Sequence, residues 1–387
     1  MTTPKVFFWV QHLLGIGHLK RTAVLARAFQ RAGMNVTIVS GGQEVPGLNI
    51  GDAKLIQLPP VRAADKYFKV LIDEQDREID QTFIDQRRDI LLQNFTREAP
   101  DIILTELFPF GRRQLRAELT ALLDEATNGH VRPLIISSVR DILVDPPKPE
   151  RVQEMLVRIE KYYDRVLVHG DPNLIPFRET FRHADQITDR IAYSGYVVDV
   201  PKKKINGAGT GEVIVSAGGG AVSEELFRAA MAARIQTSLS DRTWRILAGN
   251  SLPQKVFAQL KRDAPEGFVI ERARPDFTTM VANCILSISQ GGYNTVMEVL
   301  AARTRSVIVP YAGGLETEQT LRTRLLQNRN GIRNLPEKAL NSRTLASAVE
   351  DALSAPAPDA IGLKTDGADT SARLIKEWFE HHAQGAS

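Results

Sequence analysis

The chain has 387 residues, 43% of them hydrophobic, with 49 basic against 46 acidic side chains and a net charge of +3. That length exceeds a usual single core and predicts two domains, while so mild a charge argues against a dedicated nucleic-acid binder. One cysteine, Cys284, allows neither an internal disulfide nor a cysteine metal site, which suits a reducing cytoplasm.

The first apolar run, residues 6–10, is cut by Gln11 and His12. It is too short and too polar at its flank for a signal peptide or a membrane span, so a soluble cytoplasmic protein is expected, with peripheral contact at the inner membrane face left open. Further runs at 35–40, 54–58, 102–105, 134–138 and 166–169 alternate with helical patterns, the signature of a parallel doubly wound α/β sheet. Between the first run and its helix lies Gly15-Ile16-Gly17-His18, with Leu19, Ala23, Leu25, Ala26 and Phe29 forming the apolar face of that helix. Lys20 stands where a dinucleotide fingerprint needs its third glycine, and Val39-Ser40-Gly41-Gly42 where it needs an acid. A nicotinamide or flavin site is therefore disfavoured. The run at 102–105 ends in Glu106, followed by Phe108-Pro109-Phe110-Gly111-Arg112-Arg113.

Residues 200–209, charged, glycine-rich and aperiodic, read as a linker. After it a second series of strands is expected at 212–216, 244–247, 268–271, 285–288 and 306–309, with Cys284 inside an apolar strand. The predicted division is 1–200, 201–367 and an amphipathic end, 368–387, carrying Leu374, Ile375, Trp378 and Phe379 on one face. Ser216-Ala217-Gly218-Gly219-Gly220 joins a strand to a helix, and three glycines together cost enough chain entropy to imply close backbone approach to something. Ser289-Gln290-Gly291-Gly292-Tyr293-Asn294-Thr295-Val296-Met297-Glu298 is again strand, glycine turn and helix. Such a turn suits a phosphate at the helix N-terminus, with Glu298 accepting from both hydroxyls of a ribose; an ordinary turn with a solvated glutamate fits the same residues. P-loop, H-E-x-x-H and G-x-S-x-G motifs are absent, as is an Asp-x-Asp after a strand.

The glycine turn at 291–292, together with Tyr311-Ala312-Gly313-Gly314-Leu315-Glu316-Thr317-Glu318-Gln319, resembles the donor half of the GT-B glycosyltransferases, most closely family 28. Gly17-His18-Leu19-Lys20-Arg21, the phrase around Glu106 and Ser138-Val139-Arg140-Asp141-Ile142 are similar to a bacterial branch of predicted family 28-like transferases, extending the resemblance over nearly the whole chain. It implies two Rossmann-like domains facing across a cleft, with a terminal helix crossing back to the first. Donor binding then falls on Gly15, Gly17, Ser216, Gly218, Gly219, Gly220, Ser289, Gln290, Gly291, Gly292, Asn294, Thr295 and Gly314, with the diphosphate at the glycine-rich turns of 216–220 and 291–292 and the ribose on Glu298. Backbone contact with the base falls on Arg272 and Ala273, and the sugar hydroxyls on Glu318 and Gln319. The peptidoglycan N-acetylglucosaminyltransferase of this family has amides at the last pair, so Glu318 is a departure that leaves the sugar open. His18 takes the place of the general base. Glu106 either orients His18, serves as an alternative base, or is a structural partner of Arg112 or Arg140.

The resemblance implies an inverting transferase that uses a nucleotide sugar, expected to be a UDP-sugar, as substrate, with no cofactor and no metal. Phe110 and Arg113 are expected on the acceptor side, holding a small-molecule or lipid-linked acceptor with an anionic group. Rival readings are a nucleotide-sugar hydrolase, an epimerase on the same fold, or a binding protein that has kept the donor pocket.

Overall fold

The computed structural model describes residues 3–65, 69–143, 148–199, 206–217, 223–249, 252–311, 318–326, 331–356, 358 and 364–385. The chain divides into two compact units, Met1–Val197 with Lys364–Ser387, and Val198–Leu363. In the first, β1 (Lys5–Val10), α1 (Gly17–Arg31), β2 (Asn35–Ser40) and β3 (Lys54–Gln57) lead through a short ribbon, β4 (Arg62–Ala63) and β5 (Leu71–Ile72), to α2 (Gln81–Glu98). Then follow β6 (Ile102–Glu106), α3 (Arg116–Asn128), β7 (Leu134–Arg140), α4 (Pro149–Tyr162), β8 (Arg165–His169) and β9 (Ile191–Tyr193).

The sheet order is β3-β2-β1-β6-β7-β8-β9, with every pairing parallel. Phe7 and Trp9 of β1 enter one core with Leu91, Leu119 and Leu122, whereas Val6, Phe8 and Val10 enter another with Leu25 and Phe29 of α1. Burial on both faces is why such a strand reads as an unbroken apolar run. Asp80 caps α2 by accepting from the Phe83 N–H. The chain leaves β1 outward to β3 and returns on its other side as β6. The sheet's switch point, where ligands of open α/β sheets bind, thus lies beyond Val10 and Glu106.

The second unit holds β10 (Val213–Ser216), α5 (Glu224–Ala233), β11 (Trp244–Ala248), α6 (Gln254–Asp263), β12 (Phe268–Arg272), α7 (Phe277–Asn283) and β13 (Leu286–Gln290). It continues with α8 (Tyr293–Ala302), β14 (Ser306–Val309), α9 (Glu318–Leu326), β15 (Ile332–Asn334) and α10 (Ser342–Ser354), the last closed by a capping box of Asn341 and Thr344. The parallel order β12-β11-β10-β13-β14-β15 repeats the first plan, with its switch point between the ends of β10 and β13. Helix α11 (Gly367–Gly385) belongs to the first unit, where Ala368, Ala372 and Ile375 are buried in the core that α1 covers.

Both crossings of the chain between units start from one small patch of the first. Tyr196 N–H donates to the Lys364 carbonyl at 2.7 Å, Gly367 N–H donates to the Tyr196 carbonyl at 3.1 Å, and Val197 bridges Asp366. At Gly195, with φ +86°, a β-carbon would strike the Lys364 carbonyl, so this position requires glycine.

Three expectations change. Cys284 is not in a strand but at the C-terminal cap of α7, and burial pushes its thiol up to about 12. The helix after β10, expected to begin near Ala221, starts at Glu224. Strands β4, β5, β9 and β15, each of two or three residues, were not foreseen.

Candidate functional site

At the first switch point, α1 begins without a side-chain cap, its N-cap being Ile16, and His18 sits in its first turn facing the end of β6. His18 Nδ1 lies 2.9 Å from Oε1 of Glu106, whose side chain is fully buried. Arg21, one turn further along α1, is also bonded to Glu106 Oε1, and Ser138 Oγ donates to Oε2 at 2.8 Å. Burial alone would raise the Glu106 carboxyl, but the Arg21 guanidinium and the bond from His18 outweigh it and hold the group well below the usual carboxylate range. The ionised carboxylate at 2.9 Å favours a proton on Nδ1 and outweighs the longer 3.2 Å approach of the Arg21 guanidinium to the same nitrogen. His18 is accordingly the Nδ1–H tautomer, with a lone pair on Nε2. Burial and Arg112 push its pKa down to about 3, with Glu106 opposing. The residue after Glu106, Leu107, has φ +71°, a conformation that a non-glycine residue adopts at a cost.

The surroundings are cationic. Arg112, itself left-handed at φ +62°, donates Nε–H to the Gln11 carbonyl at 2.8 Å, and burial with neighbouring Arg140 pushes its pKa down to about 10. His12 is buried beneath Gly42, and burial with Arg112 pushes its pKa down to about 4. Gly15 is exposed and open around its α-carbon, and Gly17 is the first residue of α1.

In the second unit, Ser216 and Ser289 are paired in register at the switch point, and both hydroxyls are buried without a hydrogen-bond partner among the described residues. Gln290 ends β13, and Gly291 packs where a β-carbon would press on Thr323 and Gln319 of α9. Gly292 is the N-cap of α8, with open space where its side chain would be. Asn294 and Thr295 stand half-buried in the first turn, and Glu298 is buried on the next. Gly218, Gly219, Gly220 and Gly314 lie outside the described residues.

Several expected contacts are otherwise engaged. Glu318 is buried and ion-paired with Arg322 at 2.8 Å, and Gln319 Oε1 accepts from the Tyr311 N–H at 3.0 Å. Arg272 donates to the carbonyls of Gly249 and Leu252 and to Gln254, stacking on Phe257; the Ala273 N–H donates to the Ala248 carbonyl. The Arg272 side chain and the Ala273 amide therefore brace a loop. Phe110, expected on the acceptor side, is 6% exposed and packs edge-on against Phe177 and Phe181 in the core of the first unit. Arg113 is half exposed and reaches Glu154 at 3.6 Å. Arg21 was overlooked, although its place three residues after His18 put it on the same helix face.

These two switch-point sites on paired parallel sheets define a GT-B fold. CalG4, the calicheamicin glycosyltransferase, superposes with a TM-score of 0.63 at 15% identity, covering 99% of this chain and 98% of its own. Acinetobacter baumannii MurG superposes with a TM-score of 0.56 at 14% identity, covering 97% and 100%. Residues 213–372 match the glycosyltransferase family 28 C-terminal domain, so the chain carries that domain on a GT-B fold. The UDP-N-acetylglucosamine–N-acetylmuramyl-(pentapeptide) pyrophosphoryl-undecaprenol N-acetylglucosamine transferase of Sinorhizobium fredii is 30% identical over 119 residues, 29% of this chain. That match spans 32% of the relative's length.

Proposed function

We propose that the protein is an inverting glycosyltransferase that moves a sugar from a nucleotide-sugar donor to an acceptor hydroxyl, without a metal. The observation that carries this reading is the His18–Glu106 pair, 2.9 Å apart at the switch point of the first sheet. His18 Nε2 takes the acceptor's O–H proton as that oxygen attacks the anomeric carbon. The bond from that carbon to the phosphate oxygen breaks on the opposite face, and its electron pair leaves with the nucleoside diphosphate. His18, now protonated at both nitrogens, is countered by the Glu106 carboxylate through Nδ1–H. In the second unit the donor diphosphate lies against the N-terminus of α8 beside Gly292, with Ser216 and Ser289 offering hydroxyls and Glu298 the ribose contact. The relative's printed substrates support a UDP-sugar as donor and a lipid-linked acceptor. Among the described residues no helix is long and apolar enough to cross a membrane, so such an acceptor would be met at the membrane face.

Incubation with a panel of nucleotide sugars tests the reading. Nucleoside diphosphate released only when acceptor is present supports transfer. Release into water without acceptor, an isomerised sugar nucleotide, or binding without turnover would each replace it.

A further inference from the structure

Hydrogen bonds continue behind Glu106 across the carboxyl ends of four neighbouring strands. Ser138 Oγ, 2.8 Å from Glu106 Oε2, is also 2.9 Å from His169 Nε2. His169 Nδ1 is 2.9 Å from Ser194 Oγ, which lies 2.9 Å from the Gly195 carbonyl. Ser138 and His169 are fully buried and Ser194 is 2% exposed.

A carboxylate and a carbonyl bring no protons. Each serine brings one, and a neutral imidazole brings one, so these four contacts share about three protons. Burial and Arg21 lower His169 to about 3, so at neutral pH the shortage is real. One acceptor must give way. Bonds to a charged acceptor are roughly twice as strong as bonds between neutral groups, so the Ser138 proton goes to Glu106 and not to His169. The 2.9 Å contact between Ser138 and His169 is then a hydrogen bond only with His169 Nε2–H as donor, and the one Ser194 proton serves either His169 Nδ1 or the Gly195 carbonyl.

We propose that Ser138 and His169 are positioning residues for the base: the bond they deliver to Oε2 locks the Glu106 carboxylate in the plane that presents Oε1 to His18 Nδ1–H. With Oε2 unheld, the carboxylate can turn, the His18 proton can move to Nε2, and that tautomer has no lone pair facing the acceptor. The inference rests on His18 being the base.

The test compares Ser138→Ala, Ser138→Thr, His169→Asn and His169→Gln, reading kcat, KM for the donor, thermal stability and the ring-nitrogen NMR shifts of His18. A glutamine amide reaches the place of Nε2 and an asparagine amide that of Nδ1, so only His169→Gln can still donate to Ser138. Ser138→Ala and His169→Asn are expected to lose roughly 10- to 100-fold in kcat with donor KM within about twofold. Ser138→Thr and His169→Gln are expected to rescue most of that loss, and the lossy pair should show His18 as a mixture of tautomers. An unchanged Nδ1–H tautomer in both lossy variants overturns the proposal, as does equal loss in asparagine and glutamine variants. Because the NMR is read on the free protein, failure of sugar transfer would remove the proposed function and leave this test standing.

Discussion

Glu106 Oε1 accepts from His18 Nδ1 at 2.9 Å while its other oxygen accepts from Ser138 at 2.8 Å, so both ends of one buried carboxylate are held. A base fixed in one tautomer should be separable from donor binding. His18→Ala is expected to lower turnover by about 10² to 10⁴ with donor affinity within a few-fold. Steady-state kinetics beside calorimetry checks this, and wild-type turnover would move the base elsewhere.

Glu298 is 9% exposed on the second turn of α8. Losing a pair of charge-assisted bonds to a ribose costs roughly 2 to 4 kcal/mol. Glu298→Gln is expected to weaken nucleoside diphosphate binding at least about tenfold. Unchanged affinity by calorimetry would take this carboxylate out of the site.

The Glu318–Arg322 pair has side chains only 5% and 0% exposed. Removing one partner of such a pair leaves a buried charge, at about 3 to 5 kcal/mol. Glu318→Gln should therefore lower the melting temperature by several degrees. A variant that loses donor affinity and keeps its stability would instead give Glu318 a direct role with the sugar.

His12, His18 and His169 are lowered to about 4, 3 and 3, against an ordinary value of 6.5. Between those values the unfolded chain binds more protons than the folded one, so stability rises with pH and is lost as pH falls from 6.5 towards 4. Each histidine contributes about 1.4 kcal/mol per pH unit over that window. Urea titrations at pH 7 and pH 5 should show the fall, and His169→Gln should make it shallower by about one histidine's share. Equal stability at both pH values would mean that these rings take up protons freely.

If the leaving diphosphate is held by backbone N–H groups and helix dipoles, turnover should persist in excess chelator. Strict dependence on added magnesium or manganese would overturn the metal-free reading.

Strands buried on both faces, such as β1 and β6, were legible because they are continuous apolar runs. By contrast, β9 and β15 are three residues long and only partly buried, and exist because a neighbouring strand offers an edge. The sequence puts His18 at a helix start and Glu106 at a strand end, and the roles proposed for them come from the family resemblance. Ser138 and His169 could not be joined: they stand 31 residues apart, and only strand pairing brings them within bonding distance. The burial of Phe110 is not legible in the sequence, because Phe177 and Phe181, which pack on it, come from a distant non-periodic segment. The Glu318–Arg322 pair stands at helical i,i+4 spacing and is legible in the sequence.

The shared crossing patch at Gly195, Tyr196, Lys364 and Gly367 makes the second unit a cassette. Its two ends are tied together on the host unit by the Tyr196–Lys364 bond and the Val197–Asp366 bridge, so excising residues 198–363 leaves a gap that a short loop can close. A donor-binding unit from another protein of this fold could be spliced in at the same two cuts, and the strands and helices of the host, α11 included, would lie outside the exchange.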